Sequence, residues 1–369
     1  MLETRYMDSV LNSLQKRQST LIKAMRFPLI VMVVFAHSLG FQSYHIDLSA
    51  DAWNVYHFIS EMISHNLCKI AVCWFFVFAG YFFFLNLPKE GLTGKWLTDK
   101  WKRRVWTLLI PYLIWNLLPV ILTFIKTNLF AKLGLPQTEA VSTLFTNGNN
   151  PLTWFLTGPA NFPLWFMRDL MIMALISPVV YVIFKHCPRF VSILFLIALY
   201  ILPYELPVLT WRGYFFFSLG AFLGIQQLSL LALCKSVKCP AAILAIITLL
   251  TATFYNDAPF HNWLLKALYP FGMITFMNIC DKLIEKESRC DKLCKLSAVV
   301  FFIYAAHEVY ILGWTKGLFL RVLGDGLASS WISFIFVPIV VLGVCIGLYY
   351  LLNRIIPRTL AISCGGRSR

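Results

Sequence analysis

The sequence predicts an all-α polytopic membrane protein, a bundle of about ten transmembrane helices with both termini cytoplasmic. Three observations carry that prediction. First, 59% of the 369 residues are hydrophobic and only 13% are charged, with a mean hydropathy of +0.71, whereas soluble domains hold about 45–50% apolar and about 25% charged residues. So little charge cannot cover the surface of a soluble chain of this length, and the same figures exclude a disordered, collagen-like or disulfide-scaffold protein. Second, several apolar runs approach the ~20 residues that a helix needs to cross a bilayer. An open sheet cannot satisfy its backbone in lipid, so all are read as helices. Third, the net charge of +15 is sorted by side: 24 of the 32 Lys and Arg fall in the termini and in alternate loops. That is the positive-inside pattern and not the footprint of a nucleic-acid partner.

In chain order the apolar segments are 27–46, 67–87, 105–126, 164–184, 189–204, 211–229, 239–256, 261–280, 296–315 and 330–353. The first follows Arg26 and has no small-residue cleavage site after it, so it is kept as a span and not read as a secretory signal. Residues 1–24 before it are polar-rich with scattered Leu, Met and Ile, which fits an interfacial amphipathic helix. The second segment is followed by Lys89, Lys95 and the run Lys100-Trp-Lys-Arg-Arg104, an inner flank for the third. The loop 47–66 holds Asp47, Asp51 and Glu61 and no Lys or Arg, which places it outside. Pro163 opens the fourth segment, and the fifth is short and closed by Pro203. Three regions follow: 1–24 cytoplasmic or interfacial, 25–355 the transmembrane domain, and 356–369 a cytoplasmic tail. The chain is expected to sit as a multi-pass protein in the inner (plasma) membrane.

Ten cysteines do not make a disulfide framework here, because most fall in or beside predicted cytoplasmic segments, where thiols stay reduced. Cys290 and Cys294 lack the His or second Cys pair that would complete a metal site, so no metal is expected.

Ionisable groups inside a span cost at least ~2.5–3.5 kcal/mol, so each is a functional candidate. They are His37, Lys69, Arg168, Asp169, His307 and Glu308, with Arg26 and Arg104 at the inner boundary. Arg26 and His37 lie eleven residues apart, close to three helical turns, so both occupy one face about 16 Å apart. Histidine is the natural general base near neutral pH, and an arginine at the rim suits a polyphosphate or carboxylate. A packed histidine beside an ordinary boundary arginine is the alternative. Lys100, Arg103 and Arg104 form an anion-attracting rim or, equally, a topogenic flank. His307 and Glu308 point about 100° apart on a helix; one of them facing His37 across the bundle would fix the imidazole tautomer, and an interhelical hydrogen bond is the structural alternative. Trp165, Arg168 and Asp169 either line an outward cavity for a polar substrate or anchor the helix at the interface. The outside loop 127–163, with Asn147, Asn149, Asn150 and several aromatics, fits sugar stacking.

These motifs resemble the acyltransferase 3 family of integral membrane acyltransferases. MRFPLIVMVVFAHS holds its Arg-x10-His signature in Arg26 and His37. AVCWFFVFAGYFFF (71–84), KRRVWTLLIPYLIWN (102–116), PLWFMRDLMIMALISP (163–178) and FFIYAAHEVYIL (301–312) resemble later family segments, in order, so that the likeness runs from about residue 20 to 355. The resemblance implies transfer of an acyl group, usually acetyl from acetyl-CoA, to a hydroxyl of a cell-surface or lipid-linked glycan. It implies His37 as the catalytic residue and Arg26 as its donor-side partner; the rim-to-base geometry adds Lys100, Arg103 and Arg104 around the donor phosphates and His307 or Glu308 as orienter of His37. Arg104 matches the first arginine of a family Arg-x-x-Arg pair, but Thr107 occupies the second place, for which Arg103 or Lys100 is the candidate substitute. A polytopic transporter or exporter of polysaccharide or small acids is the second reading, because proton relays also use intramembrane His and Glu; the absence of an evident inverted repeat weighs against it.

Overall fold

The computed structural model describes residues 2–40, 44–47, 49–134, 157–202, 205–206 and 208–367. Among the described residues there is no β-sheet, only an isolated bridge between Leu206 and Leu209. The helices are α1 (Leu2–Ser38), α2 (Ala52–Phe84), α3 (Gly94–Lys132), α4 (Phe162–His186), α5 (Arg189–Ile201), α6 (Trp211–Ile225), α7 (Leu230–Ser236), α8 (Lys238–Phe254), α9 (His261–Leu283), α10 (Glu287–Leu296), α11 (Val300–Leu323), α12 (Leu327–Ile355) and α13 (Pro357–Ser363). Among the described residues six stretches are long and apolar enough to cross a membrane: 14–38 of α1, and α2, α3, α4, α9 and α12. Counting the bent pairs α6–α7 and α10–α11 as one span each gives up to eight. The fifth and seventh apolar segments of the sequence are the shorter helices α5 and α8, of 13 and 17 residues.

Two boundaries differ from the sequence reading. α1 ends at Ser38, eight residues before the expected end of the first segment, and the hydroxyl of Ser38 bonds back to the carbonyl of Phe35. α2 begins at Ala52 and not near 67, so most of the expected outside loop 47–66 is helical. Asp51 caps that helix, its side chain accepting from the backbone N–H groups of Trp53 and Asn54. Hydropathy missed this stretch because Glu61, Ser64 and Asn66 are polar, yet they are buried against protein and not lipid. The expected sugar-stacking residues Asn147, Asn149 and Asn150 lie outside the described residues.

The chain divides into two compact units. The first comprises Met1–Phe78, Gln226–Val300 and Trp314–Gly343; the second Ala79–Ile225, Phe301–Gly313 and Val344–Arg369. In the first unit the buried carboxylate of Asp281 bridges Arg17 at 2.8 Å and Lys235 at 2.7 Å, tying α1, α7 and α9. Buried Gln18 accepts from the hydroxyl of Ser229 and the amide of Leu231 at the start of α7, and the indole of Trp74 donates to the carbonyl of Met273 at 3.2 Å. In the second unit α2 and α6 meet backbone to backbone. A Cβ at Gly80 would strike the carbonyl of Phe217, and one at Gly224 would fall 2.7 Å from that of Tyr81. Small residues that let helices approach this closely are how van der Waals packing holds helices together in lipid. The indole of Trp115 donates to the carbonyl of Ser363 at 2.9 Å, fastening α13 to α3.

Candidate functional site

Each unit carries part of the ionisable set. In the first, Arg26 and His37 share the continuous helix α1, which fixes their separation at about 16 Å along the axis. Arg26 is exposed and His37 half-buried, with buried Ile30 and Val33 between them on that face. Pro28 lies inside the helix between Arg26 and Ile30 and removes a backbone donor there. One residue beyond the sequence reading joins this end. The ammonium of Lys316 donates to the carbonyl of His37 at 3.2 Å, a cation at a helix C-terminus, where the backbone carbonyls carry partial negative charge. Lys316 falls one residue past the ninth apolar segment, so the span-based search did not reach it. Lys266 was also missed: it lies inside the eighth segment, is only 7% exposed and holds its ammonium 4.8 Å from the ring centroid of Trp263.

In the second unit the structure brings Lys100 and Arg104 together. They are one turn apart on α3 and both lie over the ring of Phe83, at 5.6 and 5.5 Å from its centroid, with Lys100 also 4.9 Å from Trp96. Such cation–aromatic contacts hold a positive group in place without neutralising it. Arg103 does not join them and is exposed. Thr107 follows one turn later, and its hydroxyl is buried with no hydrogen-bond partner among the described residues. Gly365 packs there with a φ of +61°, and a Cβ on it would lie 2.9 Å from Thr107 Cα. Two residues further, Arg367 sits over the ring of Phe301 at 4.5 Å and donates to the carbonyl of Cys364. The tail thus delivers a cation to this unit that the sequence reading had counted only as topology.

Arg168 and Asp169 are brought together, and both are interior. Asp169 is fully buried and Arg168 is 7% exposed; they pair at 2.9 Å. Asp169 also accepts from the backbone N–H and hydroxyl of Thr210, and Arg168 donates to the carbonyl of Thr157. A buried pair needs such extra hydrogen bonds to offset its desolvation. These contacts tie α4 to the segment entering α6. Trp165, on the first turn of α4, is half-buried and edge-on to Phe166.

His307 is fully buried and Glu308 half-buried at a break in α11. The helix is regular from Val300 to Ala306; then Val309 (φ −74°, ψ 82°) and Tyr310 (φ 62°, ψ −25°) leave helical geometry. A non-glycine residue in the left-handed region is costly and persists only where the surroundings over-determine it. Here the phenol of Tyr310 meets the hydroxyl of Thr123, and Lys126 lies 5.1 Å from its ring centroid. His307 Nδ1 is 2.9 Å from the carbonyls of Ile303 and Tyr304. Carbonyls only accept, so Nδ1 carries the proton and a neutral His307 keeps its lone pair on Nε2. Nearby, Asn161 donates to the carbonyl of Ala305 and Tyr304 to that of Pro163, closing α4 against α11.

Long apolar helices that hold His, Glu, Arg and Asp, with no sheet among the described residues, define a multi-pass membrane protein. The chain belongs to the acyltransferase 3 family, whose model, an acyltransferase domain, matches residues 21–350; it is an acyltransferase of the membrane. It is also similar to the succinoglycan biosynthesis protein ExoH of Rhizobium meliloti (strain 1021), with 26% identity over 368 residues that cover 95% of this chain and 93% of the relative. No solved structure matches it significantly.

Proposed function

We propose that the protein transfers an acetyl group from cytoplasmic acetyl-CoA to a hydroxyl of a cell-surface glycan, as a multi-pass enzyme of the inner (plasma) membrane. The observation that carries this reading is the pairing of Arg26 and His37 on one helix, a charged handle at one end and an imidazole about 16 Å deeper. That spacing suits a long, thin donor with phosphates at one end and a thioester at the other. Arg26 holds the donor's phosphates in the first unit, and Lys100 and Arg104, seated over Phe83, supply anion-binding capacity in the second, with Arg103 at the exposed rim. His37 takes the proton from the acceptor hydroxyl as its oxygen attacks the thioester carbonyl. The C–S bond then breaks, and the departing thiolate receives the proton. His307 and Glu308 are the second pair of groups able to hold a proton. The name of the relative, a succinoglycan biosynthesis protein, supports a glycan acceptor, free or lipid-linked.

The test is acetyl transfer from labelled acetyl-CoA to membrane glycan by the purified protein in proteoliposomes. The expected result is saturable transfer, with the acetyl-CoA KM raised at least tenfold in Arg26→Ala. Donor-independent solute flux without acetyl-CoA consumption overturns the reading in favour of a transporter.

A further inference from the structure

The helical stretch 52–66, which hydropathy had assigned to a loop, carries features that acyl transfer as described above does not use. At its entrance three rings lie nearly parallel. His57 stacks on Tyr44, with centroids 3.8 Å apart and planes 15° apart, and faces Trp53 at 5.9 Å and 25°. Tyr44 and Trp53 are 42% and 39% exposed. The rings are held from below by Tyr56, edge-on to Trp53 and to Trp331. The backbone around them is tied by side chains. Asp51 caps the helix, Asp47 accepts from the amide of Ser49, and the amide of Asn54 donates to the carbonyls of Asp47 and Ser49. His45 is paired with Asp257 at 2.8 Å.

Behind the rings the helix widens to a π-turn over Glu61–Asn66, a rare form frequent at functional positions. Glu61 is 3% exposed and holds His65 Nδ1 at 2.8 Å; Ser64 and Asn66 are fully buried. Asn66 donates to the hydroxyl of Thr253 at 3.0 Å. Five buried polar atoms from this region have no hydrogen-bond partner among the described residues: His57 Nδ1, Ser64 Oγ, Asn66 Oδ1, and both amide atoms of Asn256, itself 7% exposed. Buried polar groups in native proteins are nearly always satisfied, so these atoms mark the interior behind the rings as polar.

We propose that Tyr44, His57 and Trp53 form a platform for a neutral pyranose ring of the acceptor glycan. This rests on the glycan-acceptor reading and adds to it where, and by what chemistry, the acceptor is held. A pyranose has an apolar face of C–H groups and a rim of hydroxyls, which complements flat rings bordered by carboxylates. Charge decides against the competing occupants. Residues 39–66 contain no Lys or Arg; His45 offsets Asp257, and Asp47 and Asp51 leave the segment acidic, which disfavours acidic sugars and anionic lipid headgroups. The same absence of cations places this end on the side away from the cytoplasm, where a surface glycan is met.

The experiment is saturation-transfer NMR on the full-length protein in nanodiscs, with neutral tetrasaccharides of glucose, galactose and mannose as probes. The expected result is transfer to the ring C–H protons of at least one probe. It should fall at least tenfold in Trp53→Ala and Tyr44→Ala, return in Trp53→Phe, and be weaker for a uronic-acid tetrasaccharide. Equal signals in wild type and Trp53→Ala overturn the platform, as does absence of any sugar signal together with quenching of Trp53 by brominated lipid, which would make these rings an interfacial belt. Acetyl transfer measured on the same samples separates the two readings. Wild-type transfer with an unchanged glycan KM in Trp53→Ala refutes the platform alone. Trp53-dependent sugar binding without any acetyl transfer supports the platform and refutes the acetyl-transfer reading.

Discussion

Asp169 accepts two hydrogen bonds from Thr210, at 3.0 Å from the backbone N–H and 2.6 Å from the hydroxyl, across 41 residues of sequence. Together with Arg168 it closes a buried polar staple in the second unit. Removing one member of a buried ion pair leaves the other charged and uncompensated, at a cost of roughly 3–5 kcal/mol. Asp169→Ala is therefore expected to lower yield and thermal stability in detergent sharply, and Thr210→Val to lower them less. Thermal unfolding followed by thiol reactivity of the buried cysteines measures both.

Gly80 lies where α2 meets the backbone of α6, and a methyl group there would overlap the carbonyl of Phe217. Backbone cannot yield as a side chain can, so Gly80→Ala must separate the two helices. A destabilisation of about 1–3 kcal/mol is expected, as for other overpacked cores. Gly343, with nothing near its Cβ position, is the matched control, and Gly343→Ala should leave the melting temperature in place.

The committed Nδ1 of His307 gives an isosteric test. Asparagine keeps a donor near the carbonyl of Ile303 and removes Nε2. If Nε2 carries a proton during transfer, His307→Asn loses about 100-fold or more in turnover while its melting temperature stays close to wild type. Loss of stability with unchanged turnover per folded molecule would make His307 a structural residue.

The exposed pair His45–Asp257 carries a pH signature. The Asp257 carboxylate raises His45 above its ordinary 6.5, and His45 in turn holds Asp257 below its ordinary 3.8. Stability from the raised histidine is complete below about pH 6.5 and is lost as pH rises through its folded value. Stability from the depressed carboxylate is complete above about pH 3.8 and is lost as pH falls through its folded value. The contact is thus strongest between those limits and loosens on either side. Hydrogen exchange of residues 44–47 should be slowest in that window and lose its pH dependence, beyond intrinsic chemistry, in His45→Ala.

Much of the polar set was legible because lipid makes ionisable residues conspicuous: Arg26, His37, His307 and Glu308 stand out in apolar runs. What stayed hidden has physical causes. The stretch 52–66 reads as a loop because Glu61, Ser64 and Asn66 lower its hydropathy, although protein and not lipid surrounds them. The break at Val309–Tyr310 has no proline or glycine to announce it and depends on Thr123, nearly 190 residues away in sequence. Arg168 and Asp169 were visible as charges, but the partner that makes them a staple, Thr210, lies in another segment. Lys316 and Arg367 were hidden by position, one just past a span and one in the tail.

His37 is the proposed base for acetyl transfer. The most direct measurement is turnover of labelled acetyl-CoA to membrane glycan by wild type and His37→Ala in proteoliposomes, at matched amounts of folded protein. The expected result is a fall of about 100- to 10,000-fold in kcat, with acetyl-CoA binding retained. Wild-type turnover by His37→Ala would contradict it.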